Sequence, residues 1–360
     1  MAKFEAILEI NLVKVKVDSL AEYIAYCKYN NRLEKNKGLK ILKNIIKDNR
    51  PKIDISKIQE ISGIYSESQL NNLQDYVKKL PKYSFAIWFT FKLEAPYFSK
   101  DDDDFYIIQN PILKETNFKA PMVRGSGWKG ALASAFRELF KEDFENNKEK
   151  IESFLRIFGA GSESIKAIES YVFDKSKDLN KAKEKLLNFI LFDLGLKVDR
   201  TLINEIKAKN NKEGLIEILK DKLSAKINDS KLPFEFQTHK GRAIFYPTYF
   251  DKLSIEIINP HDRIKRAGTV PIHFEVAPKG TYGIFQLIYI PFDAILKEET
   301  ELKEESEKDL DNLCKAIEIL SKQGIGAKTK YGWGRFTIEN KKVCLNGDLN
   351  TPQGWERCQA

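Results

Sequence analysis

The sequence predicts an α+β fold. Phe85, Ile87, Phe89, Phe91 and Leu93 alternate with Ala86, Trp88, Thr90 and Lys92, the period of two that marks a strand. Trp128, Leu132, Ala135, Phe136, Leu139 and Phe140 fall on one face of a helix, and Leu310, Leu313, Cys314, Ile317 and Leu320 on one face of another. Strand patterns return between these helices and after the second, so the order is strand, helix, strands, helix, strand, a βαββαβ arrangement.

Taken in order, residues 1–82 read as an N-terminal extension, a strand followed by helices. Phe4, Ile7, Leu8 and Ile10 open it. Leu20, Tyr23, Ile24 and Cys27, then Leu39, Leu42, Ile45 and Ile46, then Leu70, Leu73, Tyr76, Val77 and Leu80 recur at helical spacing, and Pro81 closes the region. The main domain is expected over 83–344. After its first strand comes a polar loop with Asp101, Asp102, Asp103 and Asp104, then the helix opened by Pro121–Gly130. Residues from about 160 to 238 read as a large helical insertion, with stripes at Leu186, Leu187 and Ile190 and at Leu215, Ile216, Leu219 and Leu223. Strands are expected at Gly241–Tyr249, Ile255–Ile258, His273–Val276 and Ile284–Ile290. An acidic linker, Lys297–Lys308, leads to the second helix, a last strand runs through Arg335–Ile338, and 345–360 reads as a tail. With the insertion set aside, βαββαβ is the order of ferredoxin-like, RRM-like domains.

Composition narrows the function classes. Hydrophobic residues are 42% of 360, enough for a sizeable core. No apolar run reaches spanning length, and Glu5, Glu9, Lys14 and Lys16 interrupt any signal-peptide core, so a cytoplasmic protein without a membrane partner is expected. The four cysteines (Cys27, Cys314, Cys344, Cys358) have no metal-site spacing and read as buried or idle thiols. The only histidines are His239, His261 and His273, which argues against a histidine-rich metal centre. The net charge of +8 is modest, so the distribution of cations matters more than their sum.

Two loops concentrate cations without acids. In the first, Arg124, Gly125, Ser126, Gly127, Trp128 and Lys129 lead into a helix N-terminus; glycines admit a close ligand, and the helix start and cations favour phosphate. It is not a Walker loop, because no Ser or Thr follows the Lys. The second, Gly324 to Arg335, holds Gly324, Gly326, Lys328, Lys330, Gly332, Trp333, Gly334 and Arg335, a mixture suited to single-stranded RNA: cations for phosphates, rings for stacking, glycines for close approach. A third basic turn carries His261, Arg263 and Arg266. Asp101–Asp104 is either a solvated acidic loop or a source of one metal-positioning carboxylate.

Several of these segments resemble the RAMP superfamily, the RNA-binding subunits of CRISPR complexes. "APMVRGSGWKGALASAFREL" is similar to the family segment P-x-I-P-G-S-S-L-K-G-x-x-R, and "IFG" at 157–159 to its L-F-G element. "GRAIFYPTYF" at 241–250 follows its G-x-x-x-F-x-D-A strand, except that Pro247 and Thr248 replace Asp and Ala. "RIKRAGTVPIHFEVAPKGTYGIF" resembles its Arg-rich turn and E-x-V-P-x-G-T-x-F hairpin, and "GIGAKTKYGWGRF" its glycine-rich loop. The resemblance covers about 84–338 apart from the insertion.

It implies a guide-RNA-binding subunit of a type III effector complex, Cmr-like, acting in antiviral defence, with target RNA as a possible second ligand. Other effector subunits are implied as partners, and the apolar stripes of the insertion suggest where they would meet it. No cofactor is expected for such a role. The alternative is a metal-dependent endoribonuclease using Mg or Mn and one carboxylate of Asp101–Asp104; a further alternative is a repeat-RNA-processing endoribonuclease using His261.

Overall fold

The computed structural model describes residues 55–102, 108–142, 147–160, 179–188, 190, 199–211, 213–219, 221, 239–262, 267–268, 270–292 and 297–358. The expected N-terminal strand and the helical stripes between Leu20 and Ile46 lie outside these residues, as do Asp103, Asp104, Leu223, Arg263 and Arg266.

The architecture is α+β, built on a five-stranded mixed sheet. Its strands are β1 (Phe85–Leu93), β2 (Ala243–Phe245), β5 (Tyr282–Tyr289), β6 (Phe336–Leu345) and β7 (Glu356–Arg357), while β3 (Ser254–Ile258) and β4 (Ile272–Val276) form a separate antiparallel hairpin. In space the sheet runs β7-β6-β1-β5-β2. β1 is antiparallel to both β5 and β6, and β5 to β2; only the β6–β7 pair is parallel. The principal helices are α1 (Ser56–Ile61), α2 (Leu70–Lys78), α3 (Gly125–Glu142), α4 (Asn147–Phe158), α5 (Leu179–Asn188), α6 (Arg200–Ala208) and α7 (Glu299–Gln323). Among the described residues no helix is long and apolar enough to cross a membrane.

The alternation in β1 has the consequence its period dictates. Phe85, Ile87, Phe89, Phe91 and Leu93 enter the main core with Trp128, Leu132 and Phe136 of α3 and Leu313, Ile317 and Leu320 of α7. Ala86 and Trp88, on the other face, are buried as well, because Leu70, Leu73 and Val77 of α2 cover them. Gln74 of α2 secures this cover, exchanging hydrogen bonds with the Leu345 backbone (2.9 and 3.1 Å). α2 is therefore the roof of the second sheet face rather than an appendage.

Several expectations are corrected. Gly241–Tyr249 is not one strand: Pro247 cannot donate to a ladder, and past it Thr248–Tyr249 leaves β2 to pair with Met122–Val123. The acidic stretch 297–308 is not a linker, since α7 begins at Glu299; carboxylates suit a helix N-terminus, and Ser306 and Asp309 in this half are buried. The segment 345–360 is not a loose tail, because Leu349 and Trp355 enter the main core and β7 extends the sheet. Cys344 and Cys358, read as idle thiols, form a disulfide across β6 and the end of the chain, with Cα atoms 5.0 Å apart. Cys314 remains a buried thiol.

In the insertion, Ala182, Leu186, Ile190, Leu202, Ile206, Leu215, Ile218 and Leu219 form one small core. The two stripes read from the sequence thus bury one another, which removes the reason for assigning subunit contacts to them.

Candidate functional site

The short Met122–Val123 ladder delivers the chain to Arg124, whose carbonyl accepts the first bond of α3 from the Trp128 amide (3.0 Å). The amides of Gly125, Ser126 and Gly127 consequently have no acceptor within the helix, and the macrodipole adds positive potential there. Glycine is required at 125, because a Cβ would lie 2.2 Å from the Phe245 carbonyl oxygen. Arg124, Ser126 and Gly127 are exposed. Trp128 is not a ligand contact as expected: it is fully buried against Phe91 and Phe285. Its indole N–H donates to Thr248 Oγ1 (2.9 Å), and the Thr248 hydroxyl donates to the Ile284 carbonyl (2.6 Å).

The glycine-rich loop closes on itself and on the segment after β1. The Ile325 amide donates to Gly334 O (3.0 Å), Ala327 to Phe98 O (2.7 Å) and Gly334 to Pro96 O (2.9 Å). Gly324, Gly326 and Gly334 have φ of +91°, +80° and +73°, and a Cβ on them would meet the Trp333, Phe98 and Ile325 carbonyls at 2.5, 2.3 and 2.0 Å. The sequence suggests that these glycines admit a ligand; what requires them here is the close approach of the protein's own backbone. The Trp333 ring is likewise engaged, packing edge-on to Phe274 and Phe98 at 5.7 and 6.3 Å.

Lys328 adopts a left-handed φ of 64°. Its ammonium lies 4.5 Å from the Phe274 ring centroid and 5.8 Å from that of Tyr331. Lys330 and Arg335 are exposed. Tyr331, at 76% exposure, is the loop's exposed ring, and the sequence does not single it out. The sequence places Tyr331 and Trp333 in the same loop but does not say which turns outward.

The two loops meet. A cleft of about 360 Å3 is lined by Arg124, Ser126 and Gly127 from the first, Gly326 from the second, and Ser99 and Lys100 from the segment after β1, over a floor that includes Tyr97. Among the described residues no carboxylate lines it. Ser99 and Lys100 are held by pairing with 111–113, through Leu113 N to Ser99 O (2.7 Å) and Asp101 N to Pro111 O (3.0 Å). Tyr97 donates to Met122 O (3.2 Å); burial pushes its hydroxyl well above the usual tyrosine range, so it stays protonated despite Ser99 and Arg124 nearby. Sequence reasoning missed Ser99, Lys100 and Tyr97, which carry no glycine or motif signal.

Of the remaining candidates, Lys129 is half-buried and does not line the cleft. Asp101, half-buried, follows Lys100 directly, and Asp102 is exposed. Among the described residues no group of three or more His, Cys, Asp or Glu is arranged to hold a metal. The third basic turn caps the β3–β4 hairpin, where His261–Asp262 pairs with Ala267–Gly268. The His261 side chain lies outside the description, and no described residue of that turn lines the cleft. The hairpin is nevertheless fixed beside the glycine-rich loop through Phe274. Its base is pinned by the buried Lys114–Glu275 ion pair, with Ile112 N donating to the same carboxylate (3.2 Å).

No curated protein matches the chain. Among solved structures it is similar to one described as the type III-B Cmr-beta bound to cognate target RNA, at 11% identity and a TM-score of 0.46, covering 86% of this chain and 74% of that one. It is also similar to Cmr6 from Pyrococcus furiosus, at 17% identity and a TM-score of 0.30, covering 72% of this chain and 99% of that one. Because both scores fall below 0.5, membership rests on the family model, that of the RAMP superfamily, which matches residues 90–337 and so takes in the end of β1, the helices α3 and α7, the cleft and the glycine-rich loop. The chain belongs to the RAMP superfamily.

Proposed function

We propose that this protein is an RNA-binding subunit of a type III CRISPR ribonucleoprotein, Cmr-like, which holds guide RNA by its sugar-phosphate backbone, works beside other effector subunits in the cytoplasm and serves antiviral defence. The observation that carries the reading is the cleft, whose described lining holds cations and no carboxylate and where free helix-start amides, Arg124 and Lys100 face the glycine-rich loop across a space of nucleotide size. With the two-residue β7 set aside, the sheet order β6-β1-β5-β2 is last-first-third-second with a helix after the first and third strands, which supports a ferredoxin-like core under that cleft. In the same glycine-rich loop Tyr331, Lys330 and Arg335 are an exposed ring and exposed cations, the groups that bind single strands without reading bases.

The test is photocrosslinking of the full chain to single-stranded RNAs of unrelated sequence, with the crosslinked peptides mapped. Backbone binding predicts similar affinities for all of them, with crosslinks at Tyr331 and in 97–100. Strong preference for one sequence, or crosslinks confined to the insertion, would refute the reading.

A second reading, metal-dependent cleavage of target RNA, is favoured by one observation: Asp101 adjoins Lys100 at the cleft, with its backbone pinned to Pro111. Mg or Mn would then be held with Asp102 or a neighbour. Replacing Asp101–Asp104 by Asn tests it; unchanged cleavage in the assembled complex removes it.

A further inference from the structure

The two ends of the helical insertion converge on one buried ion cluster. The chain leaves the main domain through α4 and Gly159–Ala160, and returns through His239–Lys240, which pairs with that segment. Arg156, just before the exit, and Arg242, just after the return, are each 4% exposed. Both reach the same face of α7. Arg156 holds Asp309 in a fork, Nε to Oδ2 at 3.1 Å and Nη2 to Oδ1 at 2.7 Å, and lies 3.8 Å from Glu305. Arg242 donates to Glu305 Oε2 (2.9 Å) and to the Tyr289 hydroxyl (2.9 Å), which in turn donates to Asp309 (2.7 Å). Lys297 closes the group on Glu305. The backbone repeats the connection, with Arg242 N bonded to Arg156 O and Ile290 N to Arg242 O, each at 2.8 Å.

Such a cluster is a poor source of net stability, since desolvation consumes most of its Coulombic gain, but it has one low-energy geometry. What it orients is α7. α7 packs on α3, whose first turn is one wall of the cleft, and ends at Gly324, where the loop forming the other wall begins. Asp309 and that end are joined by about 22 Å of continuous helix. Both walls therefore take their position from the element that the two arginines hold.

We propose that Arg156 and Arg242 are positioning residues for the cleft, and that the cluster is a joint through which the insertion and the RNA site influence one another; this rests on the proposed RNA binding. In the full chain, Tyr289→Phe removes a single hydroxyl from the cluster and Asp309→Asn removes its central charge. Ser306→Ala, on the same helix, is the control, because the Ser306 hydroxyl is buried without a partner. Affinity for a single-stranded oligouridylate across a salt series and amide hydrogen exchange of 324–335 are measured on each.

The two cluster variants should bind RNA about three-fold or more weakly with an unchanged salt slope, because no phosphate contact is lost. Exchange in 324–335 should quicken, and Ser306→Ala should match the wild type. If the cluster variants melt earlier yet bind and exchange as the wild type does, the cluster is structural only and the proposal falls. If Asp309→Asn does not fold, Tyr289→Phe decides. If the wild type binds no RNA while exchange still responds, the RNA reading falls and the joint stands.

Discussion

Replacing Lys100 and Arg124 together by Ala removes the cations that line the cleft while leaving its walls intact. A single strand releases roughly 0.7 counterion per phosphate neutralised, so the slope of log affinity against log salt should flatten by about 1.4 if each cation meets one phosphate. The loss in affinity follows from the same relation. Each contact contributes about 4-fold at roughly 0.15 M salt, so the double variant should bind about 14-fold more weakly there. The deficit should widen to about 65-fold at roughly 0.05 M and shrink to about 2.5-fold at roughly 0.5 M. Fluorescence anisotropy with a labelled single-stranded RNA measures all three, and Lys79→Ala, an exposed cation at the end of α2, serves as the charge control. A deficit that stays constant across the salt range, or one matched by Lys79→Ala, would show that these side chains do not contact phosphate.

The other expectations concern stability. Gly334→Ala should cost about 3 kcal/mol or more in a denaturant titration, because φ is +73° and the methyl would lie 2.0 Å from the Ile325 carbonyl oxygen. Gly130→Ala, inside α3 with open space around its Cβ, should instead gain about 1 kcal/mol. Reducing the Cys344–Cys358 bridge, which spans 14 residues, should cost about 3 kcal/mol, read as a drop in melting temperature with thiol reductant. For Glu305, burial alone would raise the carboxyl, but Arg156 and then Lys297 and Arg242 override it and hold it below its ordinary 4.5. Its stabilisation is therefore present above that value and lost as pH falls through the lower folded value. The stability difference between wild type and Glu305→Gln should shrink in acid titrations below pH 4.5.

What the sequence revealed followed periodicity, and what it concealed followed tertiary contacts. β1 and the core faces of α3 and α7 were legible because burial on one side imposes a spacing. The second face of β1 was not, since nothing in Ala86 and Trp88 announces that α2 lies over them. The start of α7 was mistaken for a linker because its carboxylates look solvated, although Asp309 is buried against Arg156 from a segment 153 residues away. At the candidate site, glycines and cations pointed to two loops that the structure brings to one cleft. The reason for the glycines was misjudged, as a sequence cannot distinguish a backbone that must approach a ligand from one that must approach Phe98. Lys100 escaped notice because its place at the cleft comes only from the pairing of 97–101 with 111–113.

The bond between Trp128 and Thr248 ties two distant positions of the chain to one another. Where the family pattern has Leu, this protein has an indole in its core, and where the pattern has Ala it has a hydroxyl to receive the indole proton. An aliphatic side chain at 128 would ask nothing of its neighbour, whereas a buried indole without an acceptor would be penalised by about 1–3 kcal/mol. The two departures from the pattern, 120 positions apart, are thus one substitution in chemical terms. Replacing Thr248 alone by Ala would strand the indole N–H in the core, whereas Leu at 128 would have no need of the hydroxyl.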